Sequence, residues 1–352
     1  MNNFYKKKKI LITGHTGFKG SWLSLYLNFL GSDVYGISLK PKDKFNNFEL
    51  SKIKKILKKN FIFDLRDKKK FKSAVNKIKP DIIFHLAAQP LVGVSYIDPY
   101  LTWTSNLIST LNLCEIIKDY KKKLTCVVIT SDKCYENLEL NRGYKEIDRL
   151  GGKDPYSASK GSVEILCKSY FHSFFKKKKN LKFATARAGN VIGGGDWSQD
   201  RLIPDLIKSI QKSANLKIRN PKSTRPWQHV LEPLNGYLTL AFKLQNNKKL
   251  NGESFNFGPD KTKDYNVEFV IKKFKKIFPN LNYKVIKNKI FFESKLLKLN
   301  CRKAYKLLRW KQRLDISQTI FFTAFWYKQF LIKKQKNMHN FTISQIKNFL
   351  SF

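Results

Sequence analysis

The first half of the chain alternates between short apolar runs and longer segments whose apolar residues recur at helical spacing. Almost continuous apolar runs predict strands buried on both faces, as in parallel sheets. The predicted strands span residues 9–14, 33–39, 60–65, 81–88, 124–131 and 182–193. The clearest predicted helices span residues 20–31, about 99–120 and about 155–175.

This order predicts an α/β fold, in which crossover helices connect the strands of a doubly wound parallel sheet. After residue 193 the alternation weakens into loops marked by glycine and proline. We therefore expect one larger domain over residues 1–190, with a segment near 225–260 returning to it. Residues 191–352 are expected to form mainly a smaller C-terminal lobe.

Charge is the feature of composition that changes this picture. The chain has 352 residues, is 42% hydrophobic and carries a formal net charge of +43. Such an excess suggests nucleic acid or an anionic membrane as a partner. However, the lysines occur in short runs between apolar blocks, and lysine prefers the surface. We expect a lysine-rich solvated surface and no nucleic-acid partner, and binding of nucleic acid is the rival hypothesis.

The cysteines and the apolar stretches predict a soluble cytoplasmic protein. Five cysteines, an odd number without CxxC spacing, are expected to be reduced thiols. No secretory signal is apparent at the N-terminus, and the apolar stretch at residues 320–327 is too short to cross a bilayer. No metal site is expected.

The first candidate site is the stretch GHTGFKG, which follows the first predicted strand and opens the first predicted helix. Glycines at this spacing permit a tight turn and let a pyrophosphate approach the positive end of a helix. The larger domain is therefore predicted to be a Rossmann domain that binds a dinucleotide. The expected cofactor-binding residues are Gly14, Thr16, Gly17, Phe18, Lys19, Gly20, Asp64, Leu65, Leu86, Ala87 and Ala88.

The end of the second predicted strand leaves the choice between NAD and NADP open. Ser38, Leu39 and Lys40 include no acidic group that would bind a ribose 2′-hydroxyl. Lys40 could instead favour a 2′-phosphate.

The second candidate site contains Tyr156 and Lys160, which are four residues apart at the start of a predicted helix and so share one face. A lysine beside a phenol is expected to lower the pKa of the phenol and to yield a base for a hydroxyl that is being oxidised. The lysine can also hold the nicotinamide ribose, so Tyr156 and Lys160 are expected to bind the cofactor as well. Ser131, at the end of the fifth predicted strand, adds a hydrogen-bond donor for the same oxygen.

These motifs resemble the extended short-chain dehydrogenase/reductase family, whose members act on nucleotide-linked sugars. Within it, the nucleotide-sugar 4,6-dehydratases are similar over several stretches in the same order. These stretches are HTGFKGSWL, QPLV, TSDKCYEN, GGKDPYSASKG, ARAGNVIGGGDW, DRLIPD and RPWQHVLEPLNGYL. The resemblance implies an NAD-dependent hydro-lyase of deoxysugar and lipopolysaccharide synthesis that forms a homodimer or tetramer. The similarity is greatest to the members that act on CDP-glucose, which is therefore the implied substrate.

The resemblance also assigns roles to TSDK. Most of these dehydratases have an acidic pair after the serine or threonine, whereas the CDP-glucose enzymes resemble this chain in having Asp132 and Lys133. The resemblance implies that Tyr156, aided by Lys160, takes the proton of the sugar 4-hydroxyl. Lys133 would then remove the C5 proton, and Asp132 would protonate the departing 6-hydroxyl. Because the hydride returns within one cycle, a retained NAD is preferred to NADP.

The substrate side is expected to include Gln89, Asn190, Arg201 and Arg225, with the two arginines on the pyrophosphate. Arg187 is expected to brace the core, and His229 is not assigned a catalytic role. Gly93 departs from the family pattern, which has arginine after QPLV, and residues 136–146 lack the tryptophans typical there. A different sugar dehydratase or a 4-epimerase on the same fold is therefore the alternative.

Overall fold

The computed structural model describes residues 2–41, 43–140, 142–259, 265–286 and 296–352. Asn141 of the 136–146 segment, residue 260 of the expected returning segment and residues 260–264 and 287–295 of the expected C-terminal lobe lie outside the described residues. The strands are β1 Lys9–Thr13, β2 Asp33–Ser38, β3 Lys59–Ile62, β4 Ile82–His85, β5 Leu124–Ile129, β6 Leu181–Ala188, β7 Val191–Ile192, β8 Leu216–Ile218, β9 Thr224–Arg225, β10 Gln228–His229, β11 Ser254–Phe257, β12 Tyr265–Asn266 and β13 Tyr283–Val285. The helices are α1 Asn2–Tyr5, α2 Phe18–Phe29, α3 Asn47–Leu50, α4 Lys68–Ile78, α5 Val92–Ile97, α6 Pro99–Trp103, α7 Ser109–Lys118, α8 Pro155–Tyr170, α9 Leu202–Gln211, α10 Leu231–Asn246, α11 Val267–Lys275, α12 Ile316–Leu331 and α13 His339–Ser351.

Within the described part of the chain, seven strands form one parallel sheet in the order β11-β6-β5-β4-β1-β2-β3. The strand order reverses between β1 and β4, and ligands of such sheets bind in the crevice at the carboxyl ends of the strands around that point. The predicted α/β fold with a doubly wound sheet is confirmed. The strand β11, which pairs with β6, was not predicted.

The sequence pattern misplaced several element boundaries. The sixth predicted strand, 182–193, is two strands: β6 ends at Ala188, and the two residues of β7 pair instead with β10. The predicted helix 99–120 is α6 and α7 joined by a π-helical segment, Thr104–Ile108. A π-helical turn adds a residue without interrupting the apolar pattern, so spacing alone does not reveal it.

The core lies on both faces of the sheet. Ile10 and Ile12 of β1 face one hydrophobic cluster, and Leu11 between them faces the other. Successive strand residues point to opposite faces, so a strand covered on both sides must be apolar throughout. This explains the continuous runs in the sequence.

The cysteines and the helix lengths bear on the expected redox state and on membrane association. All five cysteines are buried, and the described part of the chain contains no disulfide bond. Among the residues described, no helix combines the length and apolar character that a membrane crossing requires.

Candidate active site

The glycine turn connects β1 to α2 at the carboxyl edge of the sheet. Gly14 has a φ of +76°, and a Cβ there would lie 2.8 Å from the backbone nitrogen of Ala87. A Cβ on Gly20 would lie 2.1 Å from the Gly14 carbonyl oxygen. Gly17 precedes α2 without a side-chain cap, so backbone N–H groups of the first turn are available to an anion. Strand, turn and helix therefore pack as a dinucleotide pyrophosphate requires.

Thr16 ties this turn to the end of β2. Its Oγ1 lies 2.8 Å from the Ser38 hydroxyl and donates a hydrogen bond to the Leu39 carbonyl at 2.9 Å. Leu39 and Lys40 are exposed beside this contact. Thr16 thus positions the turn through its side chain.

The other predicted cofactor residues lie after β3 and β4. Asp64 is paired with Arg66 at 2.7 Å, and this hydrogen-bonded partner lowers the pKa of the Asp64 carboxyl. Leu65 is buried in the core. Leu86, Ala87 and Ala88 are half-buried at the carboxyl end of β4.

The TSDK segment forms a tight turn at the end of β5. The Ser131 hydroxyl donates to Asp132 Oδ1 at 2.9 Å and accepts from the backbone N–H of Lys133 at 3.2 Å. Ser131 and Asp132 are buried, whereas Lys133 is half-buried. The end of the strand therefore presents an acid, a hydroxyl and an amine within three consecutive residues.

Helix α8 brings Tyr156 and Lys160 to this turn. Asp154 accepts a hydrogen bond from the Ser157 backbone at 2.9 Å, and Pro155 occupies the first helical position, so the helix begins immediately before Tyr156. The Ser131 side chain lies near the Tyr156 phenol and acts to lower its pKa. The structure thus brings together all five predicted catalytic residues, which are Ser131, Asp132, Lys133, Tyr156 and Lys160.

Burial controls the proton affinities in this cluster. It raises the pKa of Tyr156 to about 12, although hydrogen bonding with Ser131 and the charge of Arg201 act in the opposite direction. Burial also lowers the pKa of Lys160 to about 8. The predicted lowering of the phenol pKa is wrong for this arrangement, because loss of solvation outweighs the surrounding cations.

Asp132 has the environment of a general acid. Burial raises the pKa of its carboxyl, against the opposing effects of Lys133, Ser131 and Lys19. Lys19 itself is half-buried in the glycine turn, where burial and the charge of Arg201 lower its pKa to about 8. The sequence placed Lys19 only at the dinucleotide, but the structure places its ammonium near the Asp132 carboxyl.

Gly189 is a site residue that sequence reasoning missed. A Cβ at this position would lie 2.8 Å from Asp132 Oδ2 and 3.4 Å from Pro226 Cγ. The carboxyl of Asp132 therefore rests against the backbone just after β6. The available signal was the glycine in ARAGN, directly beyond a predicted buried strand.

The predicted substrate-binding residues have different hydrogen-bond and ion-pair partners. Arg201 is paired with the buried Asp196 at 3.1 Å, and its influence on the pKa of Tyr156 places it near the cluster. The Arg225 guanidinium donates to the Thr224 carbonyl at 2.7 Å. Asn190 is half-buried, and its carbonyl accepts from the Gln228 backbone at 3.2 Å.

Gln89 is engaged by its own loop. Its Nε2 donates to the Leu91 carbonyl at 3.0 Å and to Thr102 Oγ1 at 2.8 Å, and its Oε1 accepts from the Leu91 backbone at 2.6 Å. Both ends of the side chain thus shape the QPLV loop. Gly93 follows as the second residue of α5.

Two residues near the site are structural. Arg187 pairs with Glu164 at 2.8 Å with both side chains buried, which confirms the predicted brace. His229 is fully buried, accepts from the Leu231 backbone at 3.4 Å, and has its pKa lowered to about 3 by burial. The rings of Trp22 and Phe322 pack against it edge-on.

Known proteins resemble the chain along most of its length. The family model described as GDP-mannose 4,6 dehydratase matches residues 11–321. A CDP-glucose 4,6-dehydratase of Salmonella typhimurium is 40% identical, and the match covers 94% of this chain and 93% of that protein. A UDP-glucose 4-epimerase of Mycoplasma genitalium is 24% identical, with 92% and 97% covered.

Solved structures agree on the fold. A dTDP-glucose 4,6-dehydratase from Bacillus anthracis, in complex with NAD, superimposes with a TM-score of 0.76 at 18% identity, covering 93% of this chain and 99% of that one. At this identity the likeness bears on the fold alone. The family match over residues 11–321 and the 40% identity along nearly the whole chain show that the chain belongs to the GDP-mannose 4,6 dehydratase family.

Proposed function

We propose that this chain converts CDP-glucose to CDP-4-keto-6-deoxyglucose and water, with NAD as its cofactor. The observation that carries the proposal is the arrangement at the end of β5, where the Ser131 hydroxyl donates to Asp132 and lies near the Tyr156 phenol, whose pKa it acts to lower. Lys133 follows in the same turn. An acid, an amine and a phenol around one hydroxyl suit oxidation at one carbon and elimination at its neighbours.

The glycine turn and Lys160 would hold the cofactor. The uncapped start of α2 suits its pyrophosphate, and the buried Lys160 would hold the ribose next to the nicotinamide. Bound NAD would supply the acceptor for the C4 hydride and return that hydride to C6. Residues 1–190, with the returning segment near 225–260, form the cofactor domain in this proposal.

Tyr156 acts as the base on the sugar 4-hydroxyl. With a pKa of about 12 the phenol is a strong base once ionised, and Ser131 and Arg201 act to stabilise the phenolate. Lys160 lies one helical turn further along α8. A 4-ketone acidifies the hydrogen on C5. The same hydroxyl of Ser131 orients the substrate oxygen against the phenol.

Elimination uses the other two groups. Lys133 removes the C5 proton and later returns a proton there. Asp132, whose buried carboxyl has a raised pKa, protonates the departing 6-hydroxyl. Water therefore leaves across C5 and C6 without a metal ion in the scheme.

The smaller lobe, mainly residues 191–352, would bind the nucleotide. Arg201, held by Asp196, is placed for the pyrophosphate, and Arg225 is the second candidate. Asn190 follows the end of β6 by two residues. Gln89 contributes by fixing the QPLV loop.

We also propose that the protein is a homodimer formed through α5 to α8. Ile97 is 80% exposed and Tyr100 is 77% exposed, and exposed Ile165 and Phe174 extend the apolar surface onto α8 and the π-helical turn after it. A second copy of the same surface is the occupant that buries such a face symmetrically.

The proposal is tested by incubating the protein separately with CDP-, dTDP-, UDP- and GDP-linked hexoses and following each sugar nucleotide by mass spectrometry. Loss of one water from CDP-glucose alone, without added reductant, is the expected result. Water loss from a different nucleotide would retain the reaction and change the substrate. Formation of an isomer of equal mass would instead indicate a 4-epimerase, for which Asp132 and Lys133 have no task.

A further inference from the structure

The segment TSDKCY, residues 130–135, is held at both ends by side chains from outside it, and we call it the TSDKCY turn. At its first residue, the Thr130 hydroxyl donates to Glu164 Oε1 at 2.5 Å. At its last residue, the Tyr135 hydroxyl accepts from the Arg187 guanidinium at 2.7 Å. Glu164 and Arg187 are paired with each other at 2.8 Å. One ion pair therefore contacts both ends of the turn.

Glu164 belongs to the helix that carries the other half of the catalytic cluster. On α8 it follows Lys160 by one helical turn and Tyr156 by two, and all three side chains are buried. Residues four apart lie on one face of a helix, so the carboxylate and the two catalytic side chains share a face. The hydrogen bond from Thr130 thus joins the TSDKCY turn directly to α8.

The two oxygens of the Glu164 carboxylate have different partners. Oε1 accepts from Thr130, the residue that follows β5. Oε2 accepts from Arg187 at 2.8 Å, from Thr185 of β6 at 2.8 Å and from Ser254 of β11 at 3.1 Å. One oxygen therefore fixes the helix to two strands of the sheet, and the other fixes the turn to the helix.

The Glu164 carboxyl is held ionised although it is buried. Burial acts to raise its pKa, but the charge of Arg187 and the hydrogen bonds from Arg187, Thr130 and Thr185 outweigh that effect and lower the pKa. Hydrogen bonds to an ionised acceptor are shorter and stronger than those to a neutral one. The turn is therefore attached to a charged pair that is itself bonded to the sheet.

We propose that the Glu164–Arg187 pair is a clamp that sets the position of Asp132 and Lys133 relative to Tyr156. Both members of the pair are positioning residues, because they act on the substrate only through the TSDKCY turn. The inference rests on the proposed function, in which Tyr156 starts the oxidation at C4 and the two residues of the turn carry out the elimination. A loosened turn should therefore spare oxidation at C4 and delay the loss of water.

The test compares Thr130→Val with Thr185→Val. Each variant keeps the shape of the side chain and removes one hydroxyl donor from the same carboxylate, but only Thr130 belongs to the turn. Thr185 also contacts Ser254 at 2.8 Å, so the control loses at least as many hydrogen bonds. Thermal unfolding should therefore show no smaller a loss of stability in the control.

The kinetic readout separates positioning from stability. Misplacement of a catalytic group by about 1 Å can slow a reaction about 10²-fold, so Thr130→Val is expected to lower kcat on CDP-glucose about 10-fold. Its KM should change little, and reduced cofactor should accumulate during turnover. Thr185→Val should turn over normally without this accumulation. Thr130→Ser keeps the hydroxyl donor and should restore the rate.

A second readout needs no substrate. In the cofactor-free protein, the backbone amides of residues 130–135 should exchange with deuterium faster in Thr130→Val than in Thr185→Val, as followed by mass spectrometry of the peptide. Tyr135→Phe removes the bond at the other end of the turn and should give the same faster exchange and the same accumulation of reduced cofactor. It replaces Thr130→Val if that variant does not fold.

The clamp is overturned if Thr130→Val keeps a normal kcat, or if the two valine variants show equal kcat values and equal exchange in the turn. Absence of water loss by the unmodified protein, with every nucleotide sugar, would overturn the proposed function. Faster exchange in Thr130→Val would still support the clamp in that case, so the two failures are distinguishable.

Discussion

Gly189→Ala tests whether the position of the Asp132 carboxyl controls elimination. The added Cβ would lie 2.8 Å from Asp132 Oδ2, and a tight contact of 3.0–3.4 Å is restored only if the carboxyl retreats by 0.2–0.6 Å. Asp132 is buried and its other oxygen is fixed by Ser131, so this movement strains the turn. Misplacement by about 1 Å can slow a reaction about 10²-fold, so we expect a fall of about 10-fold or more in water loss.

The assay separates the two chemical steps. Absorbance of the reduced cofactor reports oxidation at C4, which uses Tyr156 and should change little, and mass spectrometry reports loss of water. The overpacking should also reduce stability by about 1–3 kcal/mol. The control is Gly258→Ala, because a Cβ on this buried glycine meets Leu299 at an ordinary 3.5 Å. Normal water loss by Gly189→Ala, or equal slowing of both steps, would refute the reasoning.

Three further predictions concern the cluster and the surface. The Lys133→Ala variant should accumulate reduced cofactor without eliminating water from the substrate, whereas the Tyr156→Phe variant should neither reduce the cofactor nor eliminate water. Stopped-flow absorbance combined with mass spectrometry checks both predictions. Normal turnover by Lys133→Ala would remove Lys133 from the mechanism. Lys160 has a folded pKa of about 8 against an ordinary 10.5, so the folded state binds fewer protons between these pH values and stability rises with pH there. Lys160→Met should therefore stabilise the cofactor-free protein at pH 7 by on the order of 3 kcal/mol, and this gain in stability should shrink above pH 8. Thermal unfolding at several pH values measures the change in stability. Lys168→Met, at an exposed lysine of the same helix, is the control and should show no change. If the lysines form only a solvated surface, duplex DNA should bind weakly at physiological salt in fluorescence anisotropy, and tight, steeply salt-dependent binding would favour the rival hypothesis.

The fold was largely predictable because the central strands β1, β4 and β5 are almost entirely buried on both faces and are therefore mainly apolar. The glycine turn was also predictable, since the steric conflicts at Gly14 and Gly20 leave no room for a side chain. The edge strand β11 was harder to recognise. It contributes only SFNF, far in sequence from its neighbour β6, and its pairing is a long-range contact.

The sequence indicated which residues lie in the candidate site better than it indicated their pKa values and contacts. Tyr156 and Lys160 share a helix face by spacing alone, but the rise in the phenol pKa depends on burial by distant segments. The internal bonds of Gln89 and the contact between Gly189 and Asp132 likewise depend on how loops fold. A sequence pattern indicates which residues lie at the carboxyl edge of the sheet, whereas tertiary packing determines what each of these side chains contacts.

The measurement that tests the central claim most directly uses CDP-glucose carrying deuterium on C4. The account predicts a product that has lost one water and carries the deuterium on C6, with NAD needed only in catalytic amount. Deuterium lost to solvent, or found on C4 of an isomer that has kept its water, would contradict a 4,6-dehydratase with an internal hydride transfer.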